Sequence, residues 1–118
     1  MATEPLIRPR SVYELIEQKL GVTIDFRFGE LTSVGTASAE AARNDPGRVA
    51  LLMVNLSSNT ITVRPVHDAT TAQGIRLTAN GGFFTANWQD DLILPALRWS
   101  AISSGSSSSV FVLEAVIT

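Results

Sequence analysis

Few side chains in this 118-residue chain could do covalent or metal chemistry, and those few stand apart in sequence. His67 is the single histidine and there is no cysteine. The two- or three-histidine metal sets of small β-barrel dioxygenases and isomerases therefore cannot be built, and neither can a thiolate site. A triad on His67 would need a nucleophilic serine and a carboxylate. Its sequence neighbour Asp68 points to the opposite side if that stretch is extended, so His67 reads as a loop residue. Asp90 and Asp91, with Gln89 or backbone carbonyls, could begin a calcium site. Two carboxylates fall well short of the roughly six to eight oxygens calcium takes, and no calcium-loop pattern surrounds them, so the pair reads as a solvated acidic turn.

Asn80-Gly81-Gly82 has the composition of an anion nest but lies between strand-like runs instead of ahead of a helix, which makes it a turn. Trp88 and Trp99 are the only large aromatic platforms for a sugar or a base. Trp99 is in period-two register with Leu97 and Ala101, which places it in a core. Trp88 sits beside the acidic bend, so Trp88, Asp90 and Asp91 form the one candidate ligand-contact group. No catalytic residue, cofactor or metal is expected, and the chain is expected not to be an enzyme.

The elements that must position these residues are mostly short strands. From Arg48 to Thr118 the runs RVALLMVNL, TITVRPV, GIRLTA, LRWSAIS and SSVFVLEAVIT alternate with the turn clusters SSN, NGG and SSGSSSS. That pattern predicts a mainly β fold, a single antiparallel β-sandwich of jelly-roll type. Arg48 to Leu56 is apolar at nearly every position, so both of its faces should be covered. Ser57-Ser58-Asn59 should close a hairpin into Thr60 to Pro65, with Ile61 and Val63 inward. Gly74 to Thr78 should place Ile75 and Leu77 inward and Arg76 outward. Phe83 to Trp88 is a possible strand, and Pro95 breaks the chain after it. Leu97 to Ser103 and Ser108 to Thr118 should flank a mobile hairpin tip at 104–107. In the last run Phe111, Leu113, Ala115 and Ile117 make one apolar face; Val110, Val112 and Val116 make a second, interrupted by Glu114. Two apolar faces suggest contacts beyond one copy of the chain.

Ahead of this β region, Ser11 with Glu14 forms a capping box, Tyr13, Ile16 and Leu20 share a stripe, and Gly21 suits a C′ position, predicting a helix over 11–20. Val22 to Phe28 alternates as a strand with Ile24, Phe26 and Phe28 on one face and Thr23, Asp25 and Arg27 on a wet one. Residues 29–47, punctuated by Gly35, Pro46 and Gly47, read as an excursion or loop with at most a helical turn over Ala37 to Arg43. Residues 1–10, carrying Pro5 and Pro9, read as an extended arm ahead of one domain spanning 11–118. In that arm and the helix start, Leu6, Ile7, Arg8, Pro9, Arg10 and Tyr13 are the candidate interface residues.

Composition narrows the function classes. The chain is 45% hydrophobic and only 17% charged, rather apolar for a small domain with much surface to keep wet, which tilts it toward an oligomer or an assembly subunit. The net charge is −2 and the basic residues are dispersed, so no nucleic-acid partner is expected. No apolar run approaches the ~20 residues of a membrane helix and the first residues lack a signal-peptide core, so neither membrane nor export is expected.

The succession LLMVNLSSNTITVRPV, ATTAQGIRLTANGG, RWSAISS and VFVLEAV resembles small β-sandwich virion proteins of tailed bacteriophages, encoded beside capsid and tail genes. The matching residues are Asn55, Gly74, Ile75, Leu77, Gly81, Gly82, Trp99, Ala101, Ile102, Ser103 and Glu114. The resemblance implies a non-enzymatic structural protein, above all a capsid decoration or cement protein. Such a protein is made in the host cytoplasm, resides in the virion, forms homo-oligomers and docks on the major capsid protein or other virion subunits. The rival expectation is a carbohydrate- or receptor-binding tail or fibre component using Trp88, Asp90 and Asp91.

Overall fold

The computed structural model describes residue 8, residues 10–27 and residues 31–118. The expected arm, with Leu6, Ile7 and Pro9, lies outside the described residues, as do Phe28 and the side chain of Tyr13.

Helix α1 (Val12–Leu20) begins where its cap dictates. Ser11 is extended and its Oγ accepts the Glu14 N–H at 3.2 Å, while the Glu14 carboxylate reaches back to the Arg10 N–H at 2.6 Å. Gly21 ends the helix at φ 69°, donating its N–H to the Glu17 carbonyl.

Nine strands follow: β1 (Ile24–Arg27), β2 (Leu31–Val34), β3 (Ala39–Ala42), β4 (Arg48–Asn55), β5 (Ile61–Pro65), β6 (Ile75–Leu77), β7 (Phe83–Asn87), β8 (Trp99–Ser103) and β9 (Ser108–Ile117). Between β7 and β8 lie a short helix α2 (Trp88–Asp91) and a 3₁₀ turn (Leu94–Ala96). They form two antiparallel sheets. One runs β1-β9-β4-β7 with β2 also on β9, and the other runs β3-β8-β5-β6. Both β1 and β2 pair with the same side of β9, β1 with its C-terminal half and β2 with its N-terminal half. Counted as one interrupted strand, they complete the eight-strand winding of a jelly roll, two four-stranded layers joined by repeated crossings.

The core between the layers is Leu51 and Met53 from β4, Val110 and Val112 from β9, Ile61 and Val63 from β5, and Leu77, Ala101 and Trp99. Trp99 is fully buried, tilts against Phe84 at 5.1 Å between ring centroids, and donates its indole N–H to the Leu94 carbonyl at 3.0 Å. Polar groups close the core at both ends of β4. At its start, a one-residue register shift between Arg48 and Ala50 puts Arg48 opposite inward-facing Val116. Without it Arg48 would share the outward parity of Ala50, Leu52 and Val54. The buried guanidinium meets Glu114 Oε1 at 2.6 Å and the carbonyls of Pro95, Leu97 and Arg43 at 2.6, 2.6 and 2.9 Å. At the far end, buried Asn55 donates to the carbonyls of Asn59, Leu77 and Thr78 and accepts from the Ser57 N–H and hydroxyl.

Several expectations change. Residues 29–47 are not a loop, because they supply β2 and β3, and Ala37–Arg43 holds a strand, not a helical turn. Pairing to β9 and β8 overrides the weak strand preference of Ala, Ser and Glu there. The segment 57–60 does not close a hairpin, since β4 and β5 belong to opposite sheets; nor is 104–107 a hairpin tip, since β8 and β9 do too. Both segments are arches between layers, and they are tied together by Asn59 Nδ2 to Ser108 Oγ at 3.0 Å and by the Thr60 N–H to Ser104 Oγ at 3.1 Å, while Ser103 Oγ and Ser108 Oγ, 2.6 Å apart, close the second arch on itself. Ile75 shares the inward parity of Val63 but lies on an edge strand and is 37% exposed. Arg27 is not on a plain wet face. It pairs with Asp45 and lies 3.6 Å from Glu114, extending the Arg48 network outward. Asp90 and Asp91, expected in a bend, lie in α2.

Candidate functional site

Period two sends every second residue of the five-stranded sheet away from the core, and here most of those residues are apolar, with Thr85, Asn87 and Ser109 among the exceptions. Register aligns Phe26, Ala115 and Ala50 in one row, Leu113 and Leu52 with Thr85 in the next, and Phe111, Val54 and Phe83 in a third. This is the apolar face expected for Phe111, Leu113, Ala115 and Ile117, continued across three neighbouring strands. Phe83 is 67% exposed and Phe26 is 45% exposed. A shallow groove runs over Phe26, Ala50, Leu52 and Leu113.

Helix α1 lies over one end of this face, contributing Ile16 and Leu20 to a cleft of 340 Å³ whose floor is Ile24, Ala50 and Ala115 and whose other wall is Trp88. The helix covers Ile24 but leaves its own stripe open, since Val12 and Leu15 remain exposed.

The loop after β7 carries a further anomaly. Leu92 has φ 59° and ψ −119°, and Ile93 has φ −88° and ψ −3°, the backbone of a type II′ turn whose first corner belongs to glycine. A leucine there costs on the order of 1–3 kcal/mol. Its side chain receives little packing in return, being 77% exposed, with Ile93 at 69%. The turn is nevertheless held firmly. Asn87 Oδ1 accepts the Asp90 N–H, the Asp91 carboxylate accepts the Asn87 N–H, and the next three carbonyls, of Leu94, Pro95 and Ala96, take bonds from Trp99, Arg48 and Asp45.

These contacts also place the sequence-derived candidates. Trp88 is 44% exposed and lines the cleft, whereas Asp90 and Asp91 are spent on Asn87. The candidate interface residues Arg8 and Arg10 are exposed. His67 is exposed in the β5–β6 loop and its neighbour Asp68 pairs instead with Arg98 at 3.3 Å. Among the described residues no three His, Asp or Glu side chains gather where they could hold a metal ion, and no helix is long and apolar enough to cross a membrane. Sequence reasoning passed over Leu92 and Ile93, although three aliphatics between an acidic pair and Pro95, outside any alternating run, were a readable sign. No family model, curated protein or solved structure matches the chain.

The residues that carried the sequence resemblance are mostly fold determinants. Asn55 and Glu114 are the two polar plugs, and Trp99 is the centre of the core. At Gly82 an added Cβ would sit 2.3 Å from the Thr78 nitrogen, so only glycine fits.

Proposed function

We propose that the chain is a non-enzymatic structural subunit that works through the outer face of its five-stranded sheet, and that its assembly is the particle of a tailed bacteriophage. Its place there is that of a capsid decoration protein, docked on the major capsid protein or other virion subunits. The observation that carries this reading is the continuous apolar face with exposed Phe26 and Phe83, a surface that a free domain of this size does not leave open to water. The sequence resemblance to phage virion sandwiches and the jelly-roll winding, which viral capsid domains and lectins also use, agree with it. Decoration then stabilises a shell by mass action, through binding the assembled lattice in preference to free capsid subunits.

Co-sedimentation of the purified chain with emptied shells of a tailed phage tests this. Binding that is saturable and raises the shells' melting temperature is the expected result. A folded chain that leaves shells untouched and instead labels a glycan array, with the signal lost in Trp88→Ala, would move the function to a carbohydrate- or receptor-binding component; half-exposed Trp88 at the cleft is the feature that keeps this second reading in view.

A further inference from the structure

The exposed turn and the open cleft are neighbours. Trp88 walls the cleft, and the same segment runs on within five residues to Leu92 and Ile93. The chain thus carries an apolar knob and an apolar hollow side by side, each unfilled among the described residues. A two-fold axis brings a surface patch against its own copy, so a knob beside a hollow is presented to a hollow beside a knob, and both insertions are made at once. We infer that the first occupant of this face is a second copy of the chain, with Leu92 and Ile93 of each copy seated in the α1–sheet cleft of the other. This deepens the docking reading above and rests on it for the choice of face.

Area supports a second copy. Val12, Leu20, Phe26, Trp88, Leu92 and Ile93 are each between 44% and 77% exposed. With a whole Phe or Trp offering about 150–250 Å² and the aliphatics less, the six at these exposures supply on the order of 600 Å². The half-buried Leu52 and Leu113 between them enlarge the patch toward the ~800 Å² per partner of a standard stable interface. The net charge of −2 puts little repulsion between copies. The strain at Leu92 fits the same picture, since its own monomer gives the exposed side chain little packing in exchange.

The test is sedimentation of the full chain over a concentration series, without any particle present. The wild-type chain is expected to dimerise. Leu92→Gly, which relieves the backbone and so preserves the fold, and Leu20→Gln, which alters the cleft wall, should each weaken the dimer at least about tenfold, as loss of a central anchor does. Mixed together, the two variants should associate more tightly than either alone, because one knob–hollow contact remains intact in the mixed pair. A monomer at every concentration, or a dimer indifferent to both substitutions, overturns the inference. A monomer that still binds shells would leave the virion reading standing, and a dimer that ignores shells would sink that reading alone.

Discussion

The two outer faces of the sandwich are finished differently. Over the four-stranded sheet, the β5–β6 loop folds back, burying Ala69 and seating its N–H on the hydroxyl of buried Ser100 at 2.8 Å. That hydroxyl also meets the carbonyls of Arg64 and His67. What remains is largely polar, Val66 apart: Arg98 bridges Glu40 and Asp68, and Arg64 reaches Gln73. Among the described residues the five-stranded sheet has only α1 across one end and shows phenylalanines elsewhere. One layer is largely covered by its own chain, and the other leaves aromatic side chains exposed among the described residues, which is the surface on which the proposed docking rests. A face dressed only for solubility would look like the first.

The sharpest break comes from the group both layers share. Arg48→Met strips Glu114 and three carbonyls of their buried donor and should cost about 3–5 kcal/mol in denaturant unfolding, removing both faces together. A loss under about 1 kcal/mol would mean that water replaces the guanidinium. Asn55→Ala, at the other end of β4, should cost about 1–3 kcal/mol by leaving the Leu77 and Thr78 carbonyls unpaired, measured in the same way.

Paired substitutions then separate the faces. Phe26→Ser should change the stability of the isolated chain by no more than about 1 kcal/mol and yet abolish association, whereas Arg64→Ser on the ionic face should stay within about 0.5 kcal/mol and leave association intact. Equal effects on association would erase the distinction between faces. The smallest expected effect is in pH. The hydrogen bond from Arg27 holds the Asp45 carboxyl below its ordinary 3.8, with the Gly47 N–H and nearby Arg48 acting in the same direction against partial burial. A depressed folded-state value gives stability that is fully present above 3.8 and lost as pH falls through the lowered value, so the contribution of Asp45 should fall away below pH 3.8. Arg27→Gln should flatten that limb of the stability profile, and an unchanged profile would remove Asp45 from the account.

Strand content and the helix were legible because alternation and capping act locally. Ser11, Glu14 and Gly21 do in the structure what their spacing requires. The connections were not legible. Alternating runs on either side of Ser57–Asn59 look alike whether the chain turns back in one sheet or crosses to the other; the crossing shows only in the structure, where the Asn55 side chain binds the Asn59 carbonyl in the arch and the Leu77 carbonyl of the opposite sheet. Two short strands in 29–47 escaped notice because their stability comes from β9 and β8, not from their own residues. The apolar face of β9 was readable one strand at a time. Its extension over β1, β4 and β7 depends on registers that no single run contains.

Covalent footprinting of the chain in dilute and in assembled form reads the two faces in one experiment. The account predicts protection on assembly at Phe26, Trp88, Leu92 and Ile93, with Arg64, Arg76 and Glu40 labelled equally in both forms. Protection confined to the ionic face, or no difference at the apolar one, would contradict it.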